Sequence, residues 1–170
     1  MTEARLTEAE LPTVEDTRAF GAALAAVLRP GDLVLLAGPL GAGKTVLAQG
    51  IGAGLAVTGP VTSPTFVIAR VHRPDRQRGG TIPMLHVDAY RLGAVADPRA
   101  EVDDLDLDAL TGDSVTVVEW GEGMVEHLAD AHLLVRIDRP DNGEARRVEL
   151  VGHGGDWHRR LAGGLPWPAG

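Results

Sequence analysis

The apolar positions of this chain fall into short runs separated by polar, glycine- and proline-rich stretches. Leu33-Val34-Leu35-Leu36-Ala37 is apolar throughout and stops at Gly38. That pattern reads as a strand buried on both faces feeding a glycine loop. Comparable runs predict strands at Phe66–Ala69, Ile82–Val87, Val115–Glu119, Leu133–Ile137 and Arg147–Val151. Between the last two, Asp141-Asn142-Gly143 is a hairpin turn signal. Elsewhere the period changes. Phe20, Leu24 and Leu28 predict a helix over Val14–Leu28, closed by Arg29-Pro30-Gly31-Asp32. Leu47, Ile51 and Leu55 mark one face of a second helix that opens at Thr45. Gly50, Gly52 and Gly54 weaken that helix and suit close packing of helix on sheet. A short helix is expected over Asp156–Leu161. Strand, glycine loop, helix and further strands predict an α/β nucleotide-binding fold, with a mixed central sheet flanked by helices. The terminal hairpin makes the sheet mixed; the strand order does not follow from the pattern.

Composition narrows the class. At 170 residues the chain is expected to form a single domain, over 1–162, with 163–170 a flexible tail. Aromatic residues are only 4%, so the core must be built from Val, Leu, Ile and Ala. The net charge of −8 argues against broad electrostatic binding of nucleic acid. There is no cysteine, which excludes disulfides and thiolate metal sites and fits a reducing cytoplasm. No signal-peptide core and no apolar run long enough to span a bilayer is present, so a cytoplasmic location without membrane contact is expected.

One lysine stands in the whole chain, Lys44, within Gly38-Pro39-Leu40-Gly41-Ala42-Gly43-Lys44-Thr45. All eight positions satisfy the P-loop pattern G-x-x-x-x-G-K-[ST]. A chain that otherwise uses arginine places a compact ammonium where a flexible stem must reach the β- and γ-phosphates. Gly38, Gly41, Ala42 and Gly43 would turn backbone N–H groups toward phosphate, helped by the positive end of the following helix. Thr45 would offer its hydroxyl to Mg²⁺. Such a site also needs a carboxylate at a neighbouring strand end. Asp88 and Glu119, each ending an apolar run, are the two candidates for holding the metal and positioning the attacking water. Thr65, in Thr62-Ser63-Pro64-Thr65-Phe66, lies where many P-loop proteins keep a switch threonine; a proline turn into a strand explains the segment equally.

Other polar clusters carry less. Arg70, Arg73, Arg76 and Arg78 suit a solvated hairpin tip, a docking surface or a phosphate-clamping lid. The acidic stretch Glu101–Asp108 fails as an EF-hand, with Ala109 at the glycine position and Val115 at the final glutamate position. The six histidines show no metal-ligand spacing, and no G-x-S-x-G nucleophile elbow occurs.

Several motifs together resemble one family. They are Leu11-Pro12 with Thr17 and Gly21, Leu40-Gly41-Ala42-Gly43-Lys44-Thr45, Ser63-Pro64-Thr65-Phe66, His86-Val87-Asp88-Ala89-Tyr90-Arg91-Leu92 and Val118-Glu119-Trp120. In order and spacing, over roughly Leu11 to Arg147, they resemble the bacterial ATPase component of tRNA threonylcarbamoyladenosine biosynthesis, the TsaE (earlier YjeE) family. The resemblance implies a P-loop ATPase with ATP and Mg²⁺ as cofactors. It makes Thr65 the switch threonine, Asp88 the Walker-B-like carboxylate, and Glu119 a Mg²⁺ ligand or water-positioning group. It adds Trp120 to the site, and Val14 and Gly143 as backbone contacts closing over the nucleotide. The implied partners are a TsaD-type threonylcarbamoyltransferase and its TsaB-type paralogue. ATP hydrolysis would sustain modification of adenosine 37 in ANN-decoding tRNAs, with the tRNA held through that complex. Pro39 departs from the family's usual aspartate and lacks an N–H, and Gly121 replaces a frequent proline.

Two other readings share the P-loop: a small-molecule kinase, using the Arg70–Arg78 loop as its lid, and a non-hydrolysing, nucleotide-gated binding module. A guanine-specific switch needs an Asn-Lys-x-Asp motif, which a chain with one lysine, already in the P-loop, does not have.

Overall fold

The computed structural model describes residues 3–39, 42–59, 61, 69–88, 112–119, 131–139 and 143–162, with the backbone alone at 3–7, 69 and 88. Chain order runs β1 (Glu3–Leu11), α1 (Val14–Ala25), β2 (Leu33–Ala37), α2 (Lys44–Leu55), β3 (Ala69–His72), β4 (Met84–Asp88), β5 (Val115–Glu119), β6 (His132–Asp138), β7 (Arg146–His153) and α3 (Trp157–Leu161). A 3-10 turn at Arg76–Arg78 joins β3 to β4. The seven strands form one sheet in the order β1-β7-β6-β2-β5-β4-β3. β2 pairs in parallel with both β5 and β6, and β4 pairs in parallel with β5. The flanks β1–β7, β6–β7 and β3–β4 are antiparallel, which is the mixed sheet expected from the terminal hairpin. Four parallel strands therefore end together at one rim of the sheet, where α/β proteins present their ligand crevice.

Helix α1 begins at a reciprocal cap. The Thr13 hydroxyl accepts the Asp16 N–H at 3.1 Å and the Asp16 carboxylate accepts the Thr13 N–H at 3.0 Å. Thr17, Phe20, Gly21, Leu24 and Ala25 form its buried face, the 3–4 residue spacing of an amphipathic helix. That face packs on α2, whose Leu47, Ala48, Ile51 and Leu55 complete the layer over Val34, Leu36, Val117, Val135 and Leu150. The opposite face of the sheet is buried as well, at Leu33, Leu35, Leu85, Val87, Val118 and Leu134.

Three differences from the sequence pattern have physical causes. Strand β1 is not among the expected strands: its alternation, with Ala4 and Leu6 and then Ala9 and Leu11 between charged residues, slips phase at Thr7-Glu8, beside the register shift between Arg5 and Thr7, and this charged edge strand pairs with β7. The predicted helix over Val14–Leu28 stops at Ala25, and residues 27 and 28 close with tighter bonds to the carbonyls three residues back. The glycines of α2 serve helix–helix contact more than helix–sheet contact. A Cβ at Gly50 would collide with the Arg18 carbonyl oxygen of α1, so the two helices cross at a distance only glycine permits. Of the three, Gly52 alone faces the sheet, where a Cβ would stand 3.5 Å from Met84 Cε. The strand expected over Phe66–Ala69 lies outside the described residues except at Ala69, where β3 begins. The tail 163–170 lies outside them too.

Candidate functional site

The loop between β2 and α2 sits at the rim where the parallel strands end. Gly43 caps α2 in the left-handed region, at φ 104°, a conformation L side chains rarely adopt. Gly43 has no side chain to cap this helix start, which suits its first-turn N–H groups to an incoming anion. At the other end of the loop, a Cβ on Gly38 would meet the Ile137 carbonyl oxygen of β6, so the loop lies flat against its neighbouring strand. The Lys44 side chain arches back over this bend. Its Nζ donates to Gly38 O at 2.6 Å and Pro39 O at 3.0 Å. Pro39 O also accepts the Ala42 N–H at 3.1 Å. The loop thus uses the carbonyl of residue 39, which proline retains.

Arg146 of β7 holds the loop from the other side. Its Nε donates to Ala42 O at 2.8 Å, and its Nη1 donates to Gly143 O at 2.9 Å and Ala145 O at 3.0 Å. Arg139 adds a second bond to Gly143 O at 3.1 Å. The Val14 N–H donates to Glu144 Oε1 at 3.0 Å. Val14 and Gly143, both expected beside the nucleotide, are thereby drawn to one flank of the P-loop by Glu144 and Arg146. Thr17 of α1 also approaches Gly43, with its Cγ2 3.8 Å from where a Cβ would stand.

Glu119 closes the other flank. It ends β5, directly beside the P-loop strand, in register with Leu36 of β2 and Asp88 of β4. Its carboxylate is 5% exposed and each oxygen has a distinct partner. Thr45 Oγ1 donates to Oε1 at 3.1 Å, and His86 Nε2 bonds Oε2 at 2.6 Å. A hydroxyl and a carboxylate oxygen side by side at the helix start are hard oxygen donors suited to Mg²⁺, which takes one or two protein ligands and completes its shell with water and phosphate. Asp88 sits at the adjacent register position, one strand further out. Behind His86, the buried His72 ring lies 6.4 Å away between centroids. Burial lowers the His72 pKa below 6.5, a larger effect than the opposing hydrogen bond with the Thr58 backbone, and the charges of His86 and Arg70 lower it further.

Of the sequence-predicted residues, Gly38, Ala42, Gly43, Lys44, Thr45 and Glu119 come together here, with Asp88 alongside in register. Gly41, Thr65 and Trp120 lie outside the described residues. Sequence reasoning missed the supporting roles of Arg146, Glu144 and His86. Only His86 had a readable signal: a polar residue inside the otherwise apolar run Met84-Leu85-His86-Val87. The Arg146 and Glu144 contacts span 104 and 130 residues, and no local pattern announces them.

Comparison with known proteins identifies the family. The family described as "Threonylcarbamoyl adenosine biosynthesis protein TsaE" matches residues 11–148. The chain is 54% identical over 140 residues to the tRNA threonylcarbamoyladenosine biosynthesis protein TsaE of Mycobacterium tuberculosis, covering 81% of this chain and 82% of that one. It is 54% identical over 143 residues to that of Streptomyces coelicolor, covering 82% and 93%. With that of Bacillus subtilis the identity is 37% over 131 residues, 76% of each chain. The crystal structure of Bacillus subtilis YdiB superposes with a TM-score of 0.74 at 26% identity, over 96% of this chain and 95% of that one. With a matched span that runs from the end of β1 into β7 and encloses the whole P-loop rim, the chain belongs to the TsaE family.

Proposed function

We propose that this chain binds Mg·ATP and hydrolyses it to ADP and phosphate, and that this supports threonylcarbamoylation of adenosine 37 in ANN-decoding tRNAs. It would do so in the cytoplasm, acting on a TsaD-type transferase with its TsaB-type paralogue, through an ATPase domain over 1–162. The observation that carries the reading is the convergence of Lys44, Thr45 and Glu119 on one uncapped helix start. The names of the relatives place those proteins in tRNA threonylcarbamoyladenosine biosynthesis.

Mg²⁺, held by Thr45 and Glu119, would supply positive charge to offset the charge that develops on the phosphates. The chain's own groups do the rest. The backbone N–H groups of Gly41 to Thr45 cradle the phosphates, and Lys44 Nζ exchanges its bonds to Gly38 O and Pro39 O for phosphate oxygens. Thr45 Oγ1 and Glu119 would hold the metal, and Glu119 with Asp88 would orient the water that attacks the γ-phosphorus as its bond to the leaving ADP oxygen breaks. Thr65 would sense the γ-phosphate, with Trp120, Val14 and Gly143 closing the nucleotide side.

The test is phosphate release from Mg·ATP, with and without the purified partner pair. Partner stimulation that Lys44→Ala abolishes, together with tight nucleotide binding, supports the proposal. Nucleotide binding without any partner effect would replace it with a kinase or a passive module.

A further inference from the structure

We propose that His86 is a positioning residue for Glu119: it fixes one carboxylate oxygen from inside the sheet so that the other is presented to Thr45 and the metal side of the P-loop. The inference rests on the reading of Glu119 as the group that serves metal and water.

The geometry of the pair is unequal in a telling way. His86 is fully buried on β4, opposite Val117 in register, two residues short of the strand end. Its ring reaches forward to Glu119 Oε2 at 2.6 Å. With Glu119 as carboxylate, an acceptor only, the hydrogen of this bond sits on Nε2. Nδ1 of the same ring is buried and has no hydrogen-bond partner among the described residues. Burying an imidazole nitrogen without a partner is costly, and a leucine here would avoid that cost. The bond that the ring does make goes to the carboxylate beside the P-loop.

What the bond achieves follows from the side chain it holds. The terminal carboxylate torsion of glutamate is broad and two-fold, so a lone Glu119 would exchange its oxygens and sweep an arc. A buried donor on Oε2 removes that freedom. It leaves Oε1, already in contact with the Thr45 hydroxyl, as the oxygen presented to the helix start. Outer partners that orient a ligating carboxylate typically change metal affinity or activity by about 10–100-fold when lost.

Two substitutions of similar polarity separate positioning from packing. The amide nitrogen of glutamine overlays imidazole Nε2, whereas that of asparagine overlays Nδ1 and falls short of Glu119. His86→Gln keeps the donor; His86→Asn loses it. Two quantities are read on the full chain: the Mg²⁺ concentration that half-saturates binding of a fluorescent ADP analogue, and phosphate release from Mg·ATP with the partner pair present. Glu119→Gln and the double variant His86→Asn/Glu119→Gln are measured alongside.

His86→Asn is expected to raise the half-saturating Mg²⁺ about tenfold and lower turnover about tenfold, with Mg²⁺-free nucleotide affinity unchanged. His86→Gln should stay within about threefold of the parent in both, and the double variant should match Glu119→Gln alone. Equal losses in His86→Gln and His86→Asn would overturn the proposal in favour of packing. So would parent-like values in His86→Asn while Glu119→Gln is impaired, and there the reading of Glu119 survives. Parent-like values in Glu119→Gln as well would show that the underlying reading of Glu119 is what fails.

Discussion

Two carboxylates are buried at opposite ends of adjacent parallel strands, Asp32 just before β2 and Glu119 at the end of β5, and they are held in different ways. Asp32 is 8% exposed and Glu119 5%, so burial does not distinguish them. Their partners do. Asp32 meets the Arg160 guanidinium as a fork, Nη1 to Oδ2 at 2.6 Å and Nη2 to Oδ1 at 2.9 Å, and also accepts the Arg29 N–H at 2.6 Å. Arg160 spends its other donors on Asp156 and Val27 O and lies 4.3 Å over the Trp157 ring. The Asp32 hydrogen bond is the chief cause that raises the Arg160 pKa above its ordinary value. Glu119 is held instead by a hydroxyl and an imidazole. A carboxylate locked to a permanent cation on both oxygens is a clasp, here fastening α3 to the base of the sheet. A carboxylate held by donors that can yield to an incoming ion, at the rim where the parallel strands end, can do chemistry.

The largest expected effect tests the clasp. Asp32→Ala leaves Arg160, only 11% exposed, with Asp156 as its remaining carboxylate. Breaking a buried pair from one side should cost about 3 kcal/mol, read as a lower urea midpoint at constant m-value. Nucleotide affinity of the folded fraction should be unchanged. A cost below about 1 kcal/mol, the range of a screened surface pair, would erase the contrast.

Glu119→Gln should do the reverse. The amide is nearly isosteric, so stability should change by less than about 1 kcal/mol, while phosphate release falls more than about tenfold. A variant that unfolds but hydrolyses normally when folded would make Glu119 a second clasp. Arg146→Met probes the same rim through the loop backbone. A trans peptide points its C=O and the next N–H in opposite directions, so fixing Ala42 O on Arg146 turns the Gly43 N–H away from the guanidinium. Losing that bond should weaken nucleotide binding about fivefold, the equivalent of about 1 kcal/mol, by titration of a fluorescent ADP analogue.

The rim was more legible in the sequence than the base, for physical reasons. A P-loop is a contiguous backbone device, so Gly38 to Thr45 announce it locally, and strand-end carboxylates such as Glu119 show as a charge terminating an apolar run. The Asp32–Arg160 clasp joins residues 128 apart, and neither has a distinctive neighbour. Strand β1 is set by pairing with β7, almost the length of the chain away. His86 falls between: its polarity inside an apolar strand is visible, but not the partner it bonds.

The smallest effect separates the two ends by pH. His72, packed behind His86, has its folded pKa lowered by burial, below 6.5. Between that folded value and 6.5 the unfolded chain carries a proton on this ring that the folded chain does not, so stability rises with pH there. The contribution is complete above 6.5 and is lost as the pH falls, with a slope of at most about 1.4 kcal/mol per pH unit. At the base, Asp156 is shifted in the same direction for a different reason, because its partner favours the charged carboxylate. Its hydrogen bond with Arg160 lowers its pKa below 3.8, so its contribution persists until the pH falls below that value. Urea denaturation from pH 7.5 to pH 3 should therefore show a first loss beginning near 6.5 that His72→Leu removes. A second loss, beginning only below about 3.8, should be reduced by Asp156→Asn, with Asp75 accounting for part of what remains. If His72→Leu leaves the upper loss intact, the ring behind His86 is not the titrating group, and the pH sensitivity does not belong to the site end of the sheet.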